Sequence, residues 1–129
     1  MTAKAGSAVI LVVERDPHVR ELEGFFLREA GFAVEFARDG EEALILVRST
    51  RPDLVITEVL VPRVDGLAVC RRIKEDPATA DTAVLVFSIL AAESRAREAG
   101  ADAYLRKPLS ERSLLETVRE LLEKREAGR

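Results

Sequence analysis

Residues 8–17 have the sequence AVILVVERDP, in which six apolar residues precede three charged residues and a proline. An uninterrupted run of aliphatic, largely β-branched residues is typical of a strand buried on both faces of a parallel sheet. Glu14, Arg15 and Asp16 mark the end of that strand. Because Asp16 and Pro17 suit the cap and first position of a helix, the stretch predicts a strand, a polar loop and a helix.

The same succession of a short apolar run and a longer amphipathic segment recurs along the chain. Further strands are predicted at residues 32–36, 54–56, 83–87 and 103–105. Helices are predicted from Pro17 to just before Gly31, over 41–48 and 67–74, within 92–99, and from the N-cap Ser110 to a polar tail at 123–129. Five such units predict an α/β fold, a doubly wound five-stranded parallel sheet of order 2-1-3-4-5 flanked by five helices.

Length and composition limit the class of protein. With 129 residues, 47% hydrophobic and 33% charged, we expect one globular domain spanning 1–129, with its core at about 8–122. The net charge of −3 disfavours direct nucleic-acid binding and a membrane-surface role. The single cysteine, Cys70, cannot form an intrachain disulfide, and neither a membrane-spanning run nor a cleavage pattern in residues 1–7 is found, so a cytoplasmic location is expected.

Polar residues end four of the predicted strands, at the sheet edge where doubly wound proteins bind ligands. They are Glu14, Arg15 and Asp16 after strand one, Glu58 after strand three, Ser88 after strand four, and Lys107 with Pro108 after strand five. An acid at a strand end is usually just solvated, and Lys-Pro is a common turn. Their convergence on one edge makes a functional site the stronger interpretation.

From residue 9 to about 122 the sequence resembles the receiver domain of bacterial two-component response regulators. The matching stretches are VILVVERDPHVRELE, ARDGEEAL, RPDLVITEVLVPRVDGLAVCRRIKEDPATADT and AGADAYLRKPLSERSL. The resemblance implies the flavodoxin-like receiver fold, an acidic pair that binds magnesium, and an aspartate that accepts a phosphoryl group from a histidine kinase. It also implies that a Ser or Thr and a lysine assist the transfer.

Several residues match the family and two do not. Ser88 matches the hydroxyl position, Lys107 and Pro108 the lysine and its proline, and Tyr104 the aromatic residue whose rotamer reports activation. Glu14 is an acceptable first acid of the metal-binding pair. However, Glu58 stands in place of the phosphoacceptor aspartate, and Arg15 in place of the second acid.

These two departures predict a variant that does not switch by phosphorylation, a pseudo-receiver. Glu14 and Glu58 would be balanced by Arg15 and Lys107, and even counting Asp16 only one negative charge remains to hold a divalent cation. The longer Glu58 side chain also misplaces the carboxylate for in-line phosphoryl transfer. We therefore expect no catalytic residue, no cofactor, and lost or weak Mg²⁺ binding.

Two consequences for Glu58 are open. It could imitate the phosphorylated residue by engaging Ser88 or Lys107, or Arg15 and Lys107 could clamp it in an ion cluster that only stabilises the fold. Either way we expect a non-enzymatic signalling module that contacts a histidine kinase, an output domain or another signalling protein. The resemblance points to the face of helix four, strand five and helix five, near Tyr104, Arg106 and Arg112, as a partner or homodimer surface.

Two other functions compete with this hypothesis. A conventional receiver would still accept phosphate on Glu58, Asp65 or Asp53. A flavin- or nucleotide-binding protein could share the fold, but residues 14–18, ERDPH, lack the Gly, Ser and Thr donors that cradle a phosphate.

The segment from Ser88 to residue 101 is about one helical turn shorter than is usual in the family, which predicts altered switching or a harmless loop deletion. His18 is expected to be a surface residue and Cys70 to be buried or half-buried.

Overall fold

The computed structural model describes residues 8–128, so the expectations for residues 1–7 and for Arg129 lie outside the described part of the chain. Five parallel strands form one sheet in the order β2-β1-β3-β4-β5, which confirms the predicted topology. The strands are β1 (Val9–Val13), β2 (Ala33–Ala37), β3 (Leu54–Thr57), β4 (Ala83–Ser88) and β5 (Ala103–Arg106). Each predicted strand is present to within about two residues.

Five helices follow the strands, and their side-chain caps explain where four of them begin. The helices are α1 (Pro17–Glu29), α2 (Gly40–Thr50), α3 (Gly66–Glu75), α4 (Glu93–Glu98) and α5 (Glu111–Ala127). Asp16, Asp39, Asp65 and Ser110 each accept a hydrogen bond from a free N–H of the following first turn. Only α4 lacks such a cap, and its six residues fit the short segment after Ser88 noted in the sequence.

The central strands are apolar throughout because helices cover both faces of the sheet. On β1, Ile10 and Val12 belong to one core layer, whereas Leu11 and Val13 belong to the other, as the two-residue period of a strand requires. The first layer also contains Leu27 of α1 and residues of α5, and the second contains residues of α2 and α3. Two packed layers hold the strand ends in place, and the strand ends carry the polar residues.

The end of α5 differs from the prediction. Residues 123–127 are helical rather than a separate polar tail. The Arg125 guanidinium lies 2.7 Å from the Asp53 carboxylate, and its Nε donates to the Asp81 carbonyl at 2.8 Å. These contacts tie the last turns of α5 to the amino edge of the sheet, so this polar segment belongs to the folded domain. Within residues 8–128, no helix is both long and apolar enough to cross a membrane.

Backbone hydrogen bonds continue past the strands and position the candidate site. The Glu58 amide donates to the Val13 carbonyl at 3.1 Å, and the Lys107 amide donates to the Ser88 carbonyl at 2.9 Å. The residues that follow β1, β3, β4 and β5 are therefore held at one edge of the sheet. The next peptide, between Lys107 and Pro108, is cis.

Candidate functional site

Three charged side chains meet at the carboxyl edge of the sheet. The Lys107 Nζ lies 2.9 Å from Oε1 of Glu14 and 3.1 Å from Oε1 of Glu58. The side chains are 14%, 2% and 4% exposed, respectively, so water screens these ion pairs weakly. An internal ammonium group therefore bridges the two carboxylates.

The Glu58 carboxylate is surrounded by hydrogen-bond donors. Oε1 accepts from Lys107 and from the Ile89 amide at 3.0 Å. Oε2 accepts from the Ser88 hydroxyl and from the amides of Val59 at 2.6 Å and Leu60 at 3.1 Å. Burial alone would raise the pKa of Glu58, but the bonds from Ser88, Leu60, Lys107 and Ile89 outweigh burial and lower it. Glu58 is therefore ionised at neutral pH.

Lys107 is held in its charged form. Burial alone would lower the pKa of Lys107, but its hydrogen bonds and ion pairs with Glu14 and Glu58 raise it. The ammonium also lies 5.6 Å from the centre of the Phe87 ring, a further favourable position for a cation. The lysine fills the space between the two acids as a permanent positive charge.

Arg15 lies outside this cluster, which corrects one of the two proposed roles for Glu58. Its side chain is exposed, and among residues 8–128 it has no hydrogen-bond or ion-pair partner. An exposed guanidinium is fully hydrated, whereas the pocket already contains the Lys107 ammonium, so the arginine gains nothing by entering. The prediction that Arg15 helps to clamp Glu58 is therefore wrong. Without Arg15, the cluster of Glu14, Glu58 and Lys107 carries one net negative charge, whereas the predicted cluster had none.

Asp16 also stands apart from the cluster. It caps α1, where its carboxylate accepts from the His18 amide at 2.9 Å and the Val19 amide at 3.4 Å. Those two bonds lower the pKa of Asp16. The Asp16 amide donates to Oε2 of Glu14 at 3.2 Å, so this residue helps to orient Glu14 through its backbone.

The residues present do not fit the magnesium ion that the family resemblance implies. All four oxygens of Glu14 and Glu58 already accept hydrogen bonds, and Arg15 offers no carboxylate. Within residues 8–128, no three acidic, histidine or cysteine side chains are grouped so that they could hold a metal ion. Both acids of the pocket are paired with Lys107, whose positive charge offsets part of the negative charge that would attract a divalent cation.

Ser88 and Tyr104 are joined through the loop that follows β4. The Ser88 hydroxyl donates to Glu58 and accepts from the Leu90 amide at 3.1 Å. The hydroxyl of the half-buried Tyr104 donates to the Leu90 carbonyl and accepts from the Ala92 amide at 3.2 Å. A continuous set of hydrogen bonds thus runs from Glu58 to Tyr104.

Gly66 allows α3 to begin directly against the Glu58 backbone. A Cβ atom at this position would lie 2.1 Å from the Glu58 carbonyl oxygen, far closer than atoms can approach. The Gly66 amide also donates to the Val59 carbonyl at 2.9 Å. Only glycine permits this approach, so the start of α3 contributes to the placement of Glu58.

Glu23 on α1 is a buried acid that the sequence interpretation missed. It is 1% exposed, and its Oε1 has no hydrogen-bond partner among the described residues. Burial, and then the nearby charge of Glu14, raises the pKa of Glu23 to about 8, so the group is protonated at neutral pH. Its position four residues after Val19 and four before Leu27, on the inward stripe of α1, was a signal that could have predicted burial.

The remaining candidates lie elsewhere. Asp53 lies at the opposite edge of the sheet, where it accepts from the Val9 amide at 2.9 Å and pairs with Arg125. Asp65 caps α3. His18 is exposed, whereas Cys70 is buried, and burial raises the pKa of its thiol to about 11. None of them contributes a side chain to the Glu14, Lys107 and Glu58 cluster.

Comparison with known proteins agrees with this fold. The family described as "Response regulator receiver domain" matches residues 10–119. Response regulator MprA of Mycolicibacterium vanbaalenii is 44% identical over 114 residues, which cover 88% of this chain and 49% of that protein. A gliding motility regulatory protein of Myxococcus xanthus is 42% identical over 99 residues, covering 74% of this chain and 13% of that protein.

A crystal structure of a putative response regulator from Chloroflexus aurantiacus superposes with a TM-score of 0.87 at 34% identity, covering 91% of this chain and 98% of that one. The chain spans about half the length, or less, of the curated relatives named above. The match to the family over most of its length, together with the fold and the polar residues that end the strands, leads to one conclusion: this chain belongs to the response regulator receiver domain family.

Proposed function

We propose that this receiver domain signals in one fixed conformation without being phosphorylated, because the Glu58 carboxylate makes the contacts that a phosphorylated residue would make. The observation that carries the proposal is that Glu58 accepts hydrogen bonds from Ser88 and from Lys107 at the same time. A hydroxyl and an ammonium on one anion are the contacts that a phosphoryl group at this position would attract. The Glu58 side chain, which is one methylene longer than that of aspartate, reaches both Ser88 and Lys107.

The hydrogen bonds that continue from Ser88 to Tyr104 support an effect beyond the pocket. They join the pocket to the start of α4 and to β5. The face of α4, β5 and α5, with exposed Arg106 and Arg112, is then presented in a constant arrangement to a histidine kinase, an output domain, another signalling protein or a second copy. The module performs no reaction, needs no metal and acts in the cytoplasm.

The Glu58 contacts also favour imitation of a phosphorylated residue over a purely structural ion cluster. A cluster that only neutralised charge would need Lys107 and Glu14, whereas the bond from Ser88 couples Glu58 to the loop after β4.

Tyr104 is the single tyrosine and the chain has no tryptophan, so intrinsic fluorescence reports this residue alone. Glu58→Ala and Ser88→Ala should each change Tyr104 fluorescence, whereas Ser49→Ala, at an exposed serine of α2, should not. Unchanged fluorescence in both site variants would leave only the structural role.

A conventional, phosphorylated receiver is the second candidate. It is favoured by the exposed position of Arg15, which leaves a net negative pocket, and by the presence of Ser88 and Lys107. Phosphorylation of Glu58 would form an acyl phosphate only after Oε1 or Oε2 lost its present hydrogen bonds. For that reason we favour the fixed conformation.

Intact-mass analysis after incubation with a small-molecule phosphodonor and Mg²⁺ separates these two candidates. The parent chain is expected to keep its mass, whereas a variant with Glu58→Asp and Arg15→Asp, which restores the family's acidic residues, is expected to gain one phosphoryl group. A phosphorylated parent chain would refute the proposal, and mapping the modified residue would identify the acceptor among Glu58, Asp65 and Asp53.

A further inference from the structure

A groove of about 420 Å³ lies between α2 and α3, on the side of the sheet that faces away from α1 and α5. Its apolar lining comes from Leu44 and Val47 of α2, from Val64 in the loop before α3, and from Ile73 of α3. Ile45 also lines the groove and is 62% exposed, which makes it the most exposed large apolar side chain in residues 8–128. The domain therefore leaves an apolar groove and an apolar side chain beside it uncovered.

The charged residues that line the groove have opposite signs at its two ends. Glu41 lies in the first turn of α2, at the carboxyl edge of the sheet, whereas Arg48 lies in the last turn. Arg72 and Asp76 come from the end of α3, and the Arg48 guanidinium lies 3.2 Å from the Asp76 carboxylate. Two arginines and one aspartate leave this second end with one net positive charge.

The first end keeps a net negative charge when the neighbours of Glu41 are counted. Arg63 lies 3.6 Å from the carboxylates of both Asp39 and Glu41, so two acids share one base. Arg38 and Glu42, which flank them in the chain, add one charge of each sign. The Glu41 and Arg63 side chains are 64% and 65% exposed, so a second molecule can reach this end.

The spacing of residues on α2 makes this surface complementary to itself. Ile45 follows Glu41 by four residues and precedes Arg48 by three, so all three lie on one side of the helix. A rise of about 1.5 Å per residue places the two charged residues about 10 Å apart along the helix, with Ile45 between them. When two such helices pack antiparallel about a twofold axis near Ile45, Glu41 of each copy faces Arg48 of the other copy.

We propose that the groove between α2 and α3 is a homodimer surface, in which Ile45 of each copy packs into the groove of the other copy. Charge complementarity identifies the occupant as a second copy, since the acidic end at Glu41 meets the basic end at Arg48 and Arg72 twice in the same dimer. A molecule of uniform charge would be attracted at one end of the groove and repelled at the other.

This inference does not depend on the proposed function, because no residue that lines the groove belongs to the cluster of Glu14, Glu58 and Lys107. In addition, α2 packs against β1 and β2, whereas the face of α4, β5 and α5 lies at the other end of the sheet. A dimer formed through the groove leaves that face free. One chain can therefore bind a second copy and another signalling protein at the same time.

The first test is sedimentation equilibrium of the 129-residue chain over a concentration series, at low and at high salt. We expect a reversible dimer with a Kd on the order of 10 to 100 µM, which rises with salt. Ile45→Ser should weaken the dimer at least about tenfold, since each dimer loses two apolar contacts. Ile89→Ser, at a 58% exposed isoleucine outside the groove, is the matched control and should leave the Kd unchanged.

A charge exchange tests the antiparallel arrangement. Glu41→Arg makes both ends of the groove positive, and Arg48→Glu makes both ends negative, so each variant alone should dimerise at least about tenfold more weakly than the parent. An equimolar mixture of the two variants should recover the parent Kd to within about threefold, because every contact between copies again joins opposite charges. Circular dichroism verifies that each variant is folded.

Three outcomes would overturn the inference: a parent chain that stays monomeric at every concentration, equal effects of Ile45→Ser and Ile89→Ser, or a mixture that associates no better than its components. Arg112→Glu, at an exposed residue of α5, provides a further control and should leave the dimer intact. Loss of the dimer in Arg112→Glu, with the groove variants unaffected, would place the second copy on the face of α4, β5 and α5 and refute the groove as the interface.

Discussion

Replacing Glu23 with leucine should stabilise the domain at neutral pH, and the gain should depend on pH. Glu23 is 1% exposed with an unpartnered Oε1, and burial raises its pKa from 4.5 to about 8. In the unfolded chain the group is ionised above about pH 4.5, so folding at pH 7 must bind a proton. At about 1.4 kcal/mol per pH unit, this costs about 3 kcal/mol at pH 7 and less than about 1 kcal/mol at pH 5.

The sign follows from the direction of the pKa shift. Because the folded state binds more protons than the unfolded state, the contribution of Glu23 to stability is most favourable below about pH 4.5 and is lost as the pH rises to about 8. Glu23→Leu has no such dependence. The difference in unfolding free energy between the variant and the parent should therefore grow by about 2 to 3 kcal/mol from about pH 5 to about pH 7.

Urea denaturation followed by far-ultraviolet circular dichroism, at several pH values between about 5 and 7.5, measures this difference. Glu21→Leu, at an exposed glutamate of the same helix, is the matched control and should show no comparable pH dependence. Parallel stability curves for the parent and Glu23→Leu would refute the reasoning, because they would mean that Glu23 is ionised in the folded state.

Three further substitutions test the buried contacts. Lys107→Ala leaves Glu14 and Glu58 without their cation and should cost about 3 to 5 kcal/mol in unfolding free energy at pH 7. Arg125→Ala removes the 2.7 Å ion pair with Asp53 and should cost about 3 kcal/mol by urea denaturation. Gly66→Ala should lower the melting temperature and shift the Glu58 amide signal, because the new Cβ overlaps the Glu58 carbonyl.

Each of these substitutions has a control in the same chain. Arg119→Ala, at an exposed arginine of α5, should change the unfolding free energy by less than about 0.5 kcal/mol. Gly128→Ala introduces a Cβ that approaches nothing closer than 3.4 Å and should leave the Glu58 signal in place. A Lys107→Ala chain as stable as the parent would show that the two acids are not paired with this lysine.

The fold was largely predictable because its main signals are local. Runs such as residues 8–13 are apolar at every position, a pattern that suits a strand covered on both faces, and the caps Asp16 and Ser110 mark helix starts. Glu58, Ser88 and Lys107 were found for the same reason, since each directly follows or ends an apolar strand. Because the strands pair in parallel, their carboxyl ends meet at one edge of the sheet, and no further sequence signal is needed to predict that these residues lie close together.

Other features depended on contacts between residues far apart in the chain. Residues 123–127 looked like a tail because nothing nearby in sequence explains their helix, whereas Arg125 is held by Asp53 across 72 positions. The spacing of Glu23 from Val19 and Leu27 indicates that it faces inward, but only the packing of α1 onto the sheet, which buries this acid near Glu14, shows that its pKa is raised. Local patterns carry no record of such contacts.

For this protein, then, the order of apolar and polar residues alone determined the five-stranded sheet and the edge at which the site forms. Because parallel strands all end at the same edge of the sheet, the polar residues that follow them meet there. The tertiary structure alone decided the charge state of that site. Arg15 could have entered the pocket or remained in water, and the outcome depended on Lys107, 92 residues away, already filling the space between Glu14 and Glu58. Desolvation and pairing energies depend on which groups meet in space, and that is set by packing.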